Sequence, residues 1–258
     1  MIGVYDSGSG GLSVLREILK ILPREKYVYY ADNAYCPYGE KTPEFIIERG
    51  RAITEYLLGQ GADIIVVACN TATGAAISTL RREYPALPFI GMEPAVKPAA
   101  LSSRTGVIGV LATAGTLRAS KYLNTKGIYE GEVKIVENVG KGFVELVEKG
   151  ILDGPEAEEI VSASLQPLLD AGADRIVLGC THYPFLIAPI SRLAGPSVEI
   201  IDPAPAVARQ LRNVMEARGL LRGDAGPELP DVALTASGDD TSERRLYKLI
   251  LQDINNKT

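Results

Sequence analysis

The sequence predicts an α/β protein of two pseudo-symmetric domains, each a mainly parallel sheet flanked by helices, with the active site in the cleft between them. Three observations predict it. Short β-branched apolar runs alternate with longer amphipathic stretches along nearly the whole chain, the pattern of strands joined by crossover helices. The segment Gly61-Ala62-Asp63-Ile64-Ile65-Val66-Val67-Ala68-Cys69-Asn70 aligns without a gap to Gly172-Ala173-Asp174-Arg175-Ile176-Val177-Leu178-Gly179-Cys180-Thr181. A second pair, Ile2-Gly3-Val4 and Ile108-Gly109-Val110, recurs at a similar spacing, and each member runs into a turn rich in Ser, Thr and Gly. The repeat places one domain at residues 1–94 with 206–258 returning to it, and the other at 95–205.

Strands are expected at Ile2–Tyr5, Ile64–Cys69, Phe89–Met92, Gly106–Leu111, Val133–Val136, Ile176–Cys180, Val198–Ile201 and Val232–Thr235, each short, apolar and bounded by turn residues. The unbroken hydrophobicity of Ile64–Ala68 fits a strand covered on both faces. Leu12–Leu22 puts Leu12, Leu15, Leu19 and Leu22 on one helical face. Thr42-Pro43 reads as an N-cap with proline at the first helical position, opening a helix that runs to about Leu58. Pro155–Ala171, Pro184–Leu193 and Ala206–Arg218 also show helical spacing.

The chain has 258 residues, 46% hydrophobic and 23% charged, so it can bury a core without metal or disulfide staples. Its net charge of −5 gives no general electrostatic reason to bind nucleic acid or an anionic membrane. No run of apolar residues is long enough to span a bilayer. Met1-Ile2-Gly3-Val4-Tyr5 enters a strand without the charged region of a signal peptide, so the cytoplasm is the expected compartment. Three cysteines, Cys36, Cys69 and Cys180, form neither a disulfide framework nor a zinc-ligand pattern, and one histidine, His182, is a poor supply of ligands. No metal site is expected.

Cys69 and Cys180 both end a hydrophobic strand and enter a polar turn, Asn70-Thr71 or Thr181-His182. In open α/β sheets, ligands bind at the carboxyl ends of strands. Halves facing one another put one thiol on each side of a cleft. Two chemically identical acid–base groups suit a reaction whose substrate and product are mirror images: one takes a proton from one face of a carbon, and the other returns a proton to the opposite face. An ordinary thiol is too protonated at neutral pH to be a good base, and a position just ahead of a helix start favours the thiolate. Neighbouring Asn, Thr and His side chains can hydrogen-bond sulfur or a carboxylate. The loop Asp6-Ser7-Gly8-Ser9-Gly10-Gly11 fails the dinucleotide template, which needs glycine where Ser13 stands, and lacks the Gly-Lys-Ser/Thr of a P-loop. Its amides can still hold a carboxylate, and Asp6 suits the neighbourhood of an ammonium group. His182, two residues past Cys180, is placed to relay a proton. Cys36 has no partner in the repeat. No cofactor is required by such a scheme.

These segments resemble the glutamate racemase family, within the aspartate/glutamate racemase superfamily. The resemblance lies in Asp6-Ser7-Gly8-Ser9-Gly10-Gly11-Leu12-Ser13-Val14, in Tyr30-Ala31-Asp32 with Pro37-Tyr38-Gly39, in Ala68-Cys69-Asn70-Thr71-Ala72-Thr73 and in Leu178-Gly179-Cys180-Thr181-His182-Tyr183-Pro184, in family order. It implies two α/β domains around a D/L-glutamate site, Cys69 and Cys180 as catalytic acid and base, and Asp6, His182 and Glu148 as groups that assist them. It further implies substrate contacts at Asp6, Ser7, Tyr38, Gly39, Asn70, Thr71, Thr113, Thr116, Thr181 and His182, a homodimer, no cofactor, and a supply of D-glutamate for peptidoglycan. Two positions depart from the family pattern: Gly140-Lys141 stands where many relatives carry Cys-Pro, and Tyr35 where arginine is common.

Three other readings compete. A racemase for aspartate usually follows its second cysteine with Thr-Glu rather than Thr-His. A catalytically silent amino-acid-binding homologue has no need of both cysteines with all their polar neighbours. A thiol hydrolase needs one Cys with a His and leaves Cys69 unexplained.

Overall fold

The computed structural model describes residues 1–222 and 230–255. Internal contacts divide the chain into two units, Met1–Met92 with Ala204–Thr258, and Glu93–Pro203.

The first unit runs β1 (Ile2–Asp6), α1 (Leu12–Ile21), β2 (Lys26–Ala31), α2 (Pro43–Gly59), β3 (Ile64–Val67), α3 (Asn70–Glu83) and β4 (Phe89–Gly91). After the second unit it resumes with α10 (Ala204–Ala217), β9 (Asp231–Ala236) and α11 (Thr241–Asn255). The second unit holds α4 (Val96–Ser102), β5 (Val107–Ala112), α5 (Ala114–Arg118), α6 (Ser120–Tyr129), β6 (Lys134–Val139), α7 (Phe143–Lys149), α8 (Pro155–Asp170), β7 (Arg175–Gly179), α9 (Ile187–Ala194) and β8 (Glu199–Ile201).

Every strand pairing among the described residues is parallel. The first sheet has the order β4-β3-β1-β2-β9 and the second β6-β5-β7-β8. Read from its other edge, the second is β8-β7-β5-β6, the same winding as β4-β3-β1-β2, and β9 is an addition to the first. Each sheet therefore reverses its winding between its two central strands, β1 and β3 in one unit and β5 and β7 in the other. Side-by-side strands whose crossovers leave in opposite directions open a crevice at their carboxyl ends. Cys69 and Cys180 follow the equivalent strands β3 and β7, one beside each crevice.

Helices cover both faces of each sheet. In the first unit α2 and α3 pack together over Tyr5, Ile65 and Val67, while α1 pairs with α10 and α11. In the second, α4 and α6 cover Ile108, Val110 and Val177, and α8 packs with α9 and on β5 and β6. Strands β1, β3 and β7 are buried throughout, as doubly covered parallel strands must be. The Thr42 hydroxyl caps α2 by accepting from Phe45 N at 3.3 Å, with Pro43 at the first position.

The expected elements shift in informative ways. The strand expected through Cys69 stops at Val67, and the one expected through Cys180 stops at Gly179, so both sulfurs lie beyond the ladder. The helix expected at Pro184–Leu193 begins as a 3-10 turn, Tyr183–Leu186, and becomes α-helical only at Ile187. Cys180 thus precedes a 3-10 turn and not an α-helix start. Strand β2 and helices α4, α5, α6, α7 and α11 were not among the expected elements. No helix among the described residues is long and apolar enough to cross a membrane.

Candidate active site

In the first unit, β1 delivers Asp6 and Ser7, and β3 delivers Cys69. Asp6 is fully buried, and its Oδ2 accepts from Gly11 N at 2.8 Å and Gly8 N at 3.4 Å. The glycine loop thus closes on the chain's own carboxylate, and those two amides are committed to it. A Cβ on Gly11 would lie 2.7 Å from that of Asp6 and 2.9 Å from the Tyr29 hydroxyl, so no other residue fits there.

Cys69 is the N-cap of α3, its sulfur accepting from Ala72 N at 3.4 Å. A sulfur at the start of a fourteen-residue helix meets both an amide hydrogen and the positive end of the dipole, which favours the thiolate. The Cys69 thiol also lies 3.6 Å from Ser7 Oγ, and the Ser7 hydroxyl donates to Asp6 Oδ1 at 3.4 Å. A chain therefore runs from Cys69 through Ser7 to Asp6. Asn70 and Thr71 are buried beside it. Asn70 Nδ2 is a buried donor with no hydrogen-bond partner among the described residues. Such a group costs free energy unless something accepts from it.

Tyr38 and Gly39 form a 3-10 turn with Glu40 that packs on α3. The Tyr38 hydroxyl donates to Asp32, so the part of this turn that remains for a ligand is its backbone. Burial, and then the negative charge of Asp32, raise the Tyr38 phenol far above its ordinary value and keep it protonated.

In the second unit, β7 delivers Cys180 and Thr181, with His182 one residue further on. Cys180 Sγ lies 3.7 Å from His182 Nδ1, and His182 Nε2 lies 2.8 Å from Glu148 Oε1 on α7. His182 is buried and Glu148 half-buried. One imidazole can therefore pass a proton between sulfur and carboxylate, its two nitrogens facing opposite partners. Thr113, at the end of β5, caps α5 through Thr116 N at 3.2 Å, and the Thr113 and Thr116 hydroxyls lie 3.0 Å apart. At the family departure, a Cβ on Gly140 would lie 2.6 Å from the Tyr183 hydroxyl, so glycine is what lets that ring pack there.

The structure thus gathers Asp6, Ser7, Cys69, Asn70 and Thr71 at one sheet's carboxyl edge, and Cys180, His182 and Glu148 at the other's. The sequence pattern of the Asp/Glu/hydantoin racemase family matches residues 2–211. The chain belongs to that family.

It is a racemase, and its relatives agree over most of their length. A glutamate racemase of Ectopseudomonas mendocina is 50% identical over 220 residues, 85% of this chain and 84% of the relative. Among solved structures, a glutamate racemase isoform of Bacillus anthracis superposes with a TM-score of 0.86 at 31% identity, covering 98% of this chain and 94% of the other. The Francisella tularensis glutamate racemase in complex with D-glutamate gives 0.83 at 27% identity, with 97% and 93% covered.

Sequence reasoning missed one part of this racemase. Asp32 is buried and receives both Tyr38 and the guanidinium of Arg49. An acidic residue directly after a buried strand was the available signal, but its partner seventeen residues on could not be read from spacing.

Proposed function

We propose that the chain interconverts L-glutamate and D-glutamate by moving the Cα proton between Cys69 and Cys180, without a cofactor. The observation that carries this reading is the matched placement of the two cysteines, each just past the equivalent strand and each linked through one side chain to a carboxylate. In one direction Cys180, as thiolate, removes the proton from L-glutamate while the Cys69 thiol delivers its own to the other face. The reverse reaction exchanges the two roles. Ser7 with Asp6, and His182 with Glu148, orient and reprotonate the two sulfurs.

We read the two units, Met1–Met92 with Ala204–Thr258 and Glu93–Pro203, as the two expected domains, each carrying one of the two cysteines. For the substrate, Asn70 Nδ2, Thr71 and the backbone of Tyr38 and Gly39 from one unit, and Thr113, Thr116 and Thr181 from the other, supply donors for the two carboxylates, and Asp6 serves the ammonium group. The enzyme works as a cytoplasmic homodimer and supplies D-glutamate to peptidoglycan.

Circular dichroism of D- and L-glutamate incubated with the purified protein, with no PLP or metal added, tests the reading. Both enantiomers should decay to the same optically silent mixture. Faster loss of signal from aspartate would move the substrate while keeping the two-thiol chemistry, and no loss from either amino acid would leave a silent binding homologue.

A further inference from the structure

Asp32 directly follows β2 and is fully buried, where a carboxylate is costly unless it is paired. Arg49, from the second turn of α2, gives it a complete fork: Nε to Oδ2 at 2.8 Å and Nη2 to Oδ1 at 2.7 Å. Oδ2 also accepts from the Tyr38 hydroxyl. The guanidinium carbon lies 4.4 Å from the Tyr35 ring centroid, and Tyr35 meets Phe45 edge-on with centroids 5.5 Å apart. One guanidinium therefore holds the segment 33–40 at Tyr35 by stacking and at Tyr38 by way of Asp32. Tyr38 in turn packs in one cluster with Tyr5, Cys69, Ala72 and Ala76. The base of the segment is tied separately, by Ala34 N to Ser237 Oγ at 3.1 Å and Gly238 N to Asn33 Oδ1 at 2.8 Å.

We propose that Arg49 is a positioning residue for substrate binding: through Asp32 and Tyr35 it locks segment 33–40 in the shape that offers the backbone N–H groups of Tyr38 and Gly39 to a substrate carboxylate beside Cys69. The proposal rests on the racemase reading above for its ligand, and it predicts an effect on binding rather than on proton transfer, because Arg49 touches neither thiol. Lysine at this place keeps the charge but loses both the planar fork and the stack, so the side chain's shape matters as well as its sign.

The test uses the full chain with Arg49→Met and Arg49→Lys, read by steady-state kinetics from both enantiomers and by hydrogen exchange over residues 33–41. Arg49→Met should raise KM about tenfold in both directions with kcat within about twofold, and Arg49→Lys should raise it roughly threefold. Exchange of the Cys36 and Lys41 amides, which close turns onto Asn33 and Tyr38, should quicken about tenfold while β3 is unchanged. Unchanged KM and exchange would overturn the proposal, as would a fall in kcat at constant KM. If Arg49→Met does not fold because Asp32 is stranded, the pair Asp32→Asn with Arg49→Met removes the stranded charge. That variant should show the same rise in KM, and wild-type KM in it would overturn the clamp. Should the wild-type chain not racemise glutamate, the substrate assignment fails, and the exchange rates still decide for or against the clamp.

Discussion

Substituting Asp174 by asparagine tests whether the acidic residue of the repeated Gly-Ala-Asp motif serves the fold and not the chemistry. Asp174 is buried at the start of β7, away from the strand's carboxyl end. Burial alone would raise its pKa. Four groups outweigh that: Ser103 Oγ at 2.7 Å, Arg104 N at 2.8 Å, the adjacent Arg175 guanidinium at 3.1 Å and Thr105 Oγ1 at 3.2 Å. Together they pull it from the usual 3.8 down to about 2. At about 1.4 kcal/mol per unit, the ionised carboxylate contributes roughly 2 kcal/mol to the folded state. Because the folded value is depressed, that contribution is complete above pH about 4 and disappears as pH falls through about 2. Asparagine keeps the volume and loses the charge. Urea unfolding followed by far-ultraviolet circular dichroism, convenient in a chain without Trp, should show Asp174→Asn destabilised by roughly 2 kcal/mol at pH 7. The difference should narrow steadily from pH 4 to pH 2. Its counterpart Asp63, exposed and paired with the N-terminal ammonium at 2.6 Å, should cost well under about 1 kcal/mol when changed to asparagine. A destabilisation by Asp174→Asn of equal size at pH 2.5 and pH 7 would refute the electrostatic account.

Cys69→Ser and Cys180→Ser should each lower racemisation by a factor of at least about a thousand, since a hydroxyl is a far weaker acid than a thiol. In D₂O each enantiomer should gain deuterium at Cα mainly in its product, and equal early labelling of substrate would point to a single base. Glu148→Gln should lower kcat from L-glutamate about tenfold more than kcat from D-glutamate, with KM for L-glutamate falling to match, because the His182 relay ends at Cys180; equal falls in the two kcat values would count against that handedness. The Tyr5 hydroxyl is fully buried with no hydrogen-bond partner among the described residues, so Tyr5→Phe should leave stability unchanged or raise it by up to about 1 kcal/mol in thermal unfolding. A loss larger than that would show that the hydroxyl is satisfied.

What was legible in the sequence was what repeats or what obeys a local rule. Thr42-Pro43 announces α2 because a cap and a proline act within one turn of chain. Cys69 and Cys180 stood out because the same strand occurs twice. Strand β2 was hidden because Tyr27, Tyr29 and Tyr30 carry hydroxyls that read as polar. In the fold Tyr27 donates to Leu22 O and Tyr29 to Gly8 O at 2.9 Å, while Tyr30 packs its ring on Tyr56 with centroids 5.1 Å apart. Tyr27 and Tyr29 each satisfy the polar tip of the phenol and bury its body. Helix α11 was hidden differently: of its apolar residues only Leu246 and Ile250 are fully buried, and the charged Glu243 is buried with them. The Asp32–Arg49 fork was illegible because it pairs a strand end with a helix interior, and only tertiary structure sets that distance.

The duplication also separates frame from chemistry. The strand frame is copied closely enough that β4-β3-β1-β2 and β8-β7-β5-β6 wind alike, yet the supports of the two sulfurs differ. Cys69 has a helix start, Ser7 and a fully buried Asp6; Cys180 has a 3-10 turn, an imidazole and a half-buried Glu148. For the proposed reaction, substrate and product are enantiomers of equal free energy, so the ratio of kcat/KM in the two directions is fixed at one whatever the thiols are like. Individual kcat and KM values are not so fixed. A hydroxyl relay and an imidazole relay move protons with different ease, and each enantiomer meets a different one first. The asymmetry of the two supports must therefore appear as unequal kcat values matched by unequal KM values, and substitutions in one relay must shift both together.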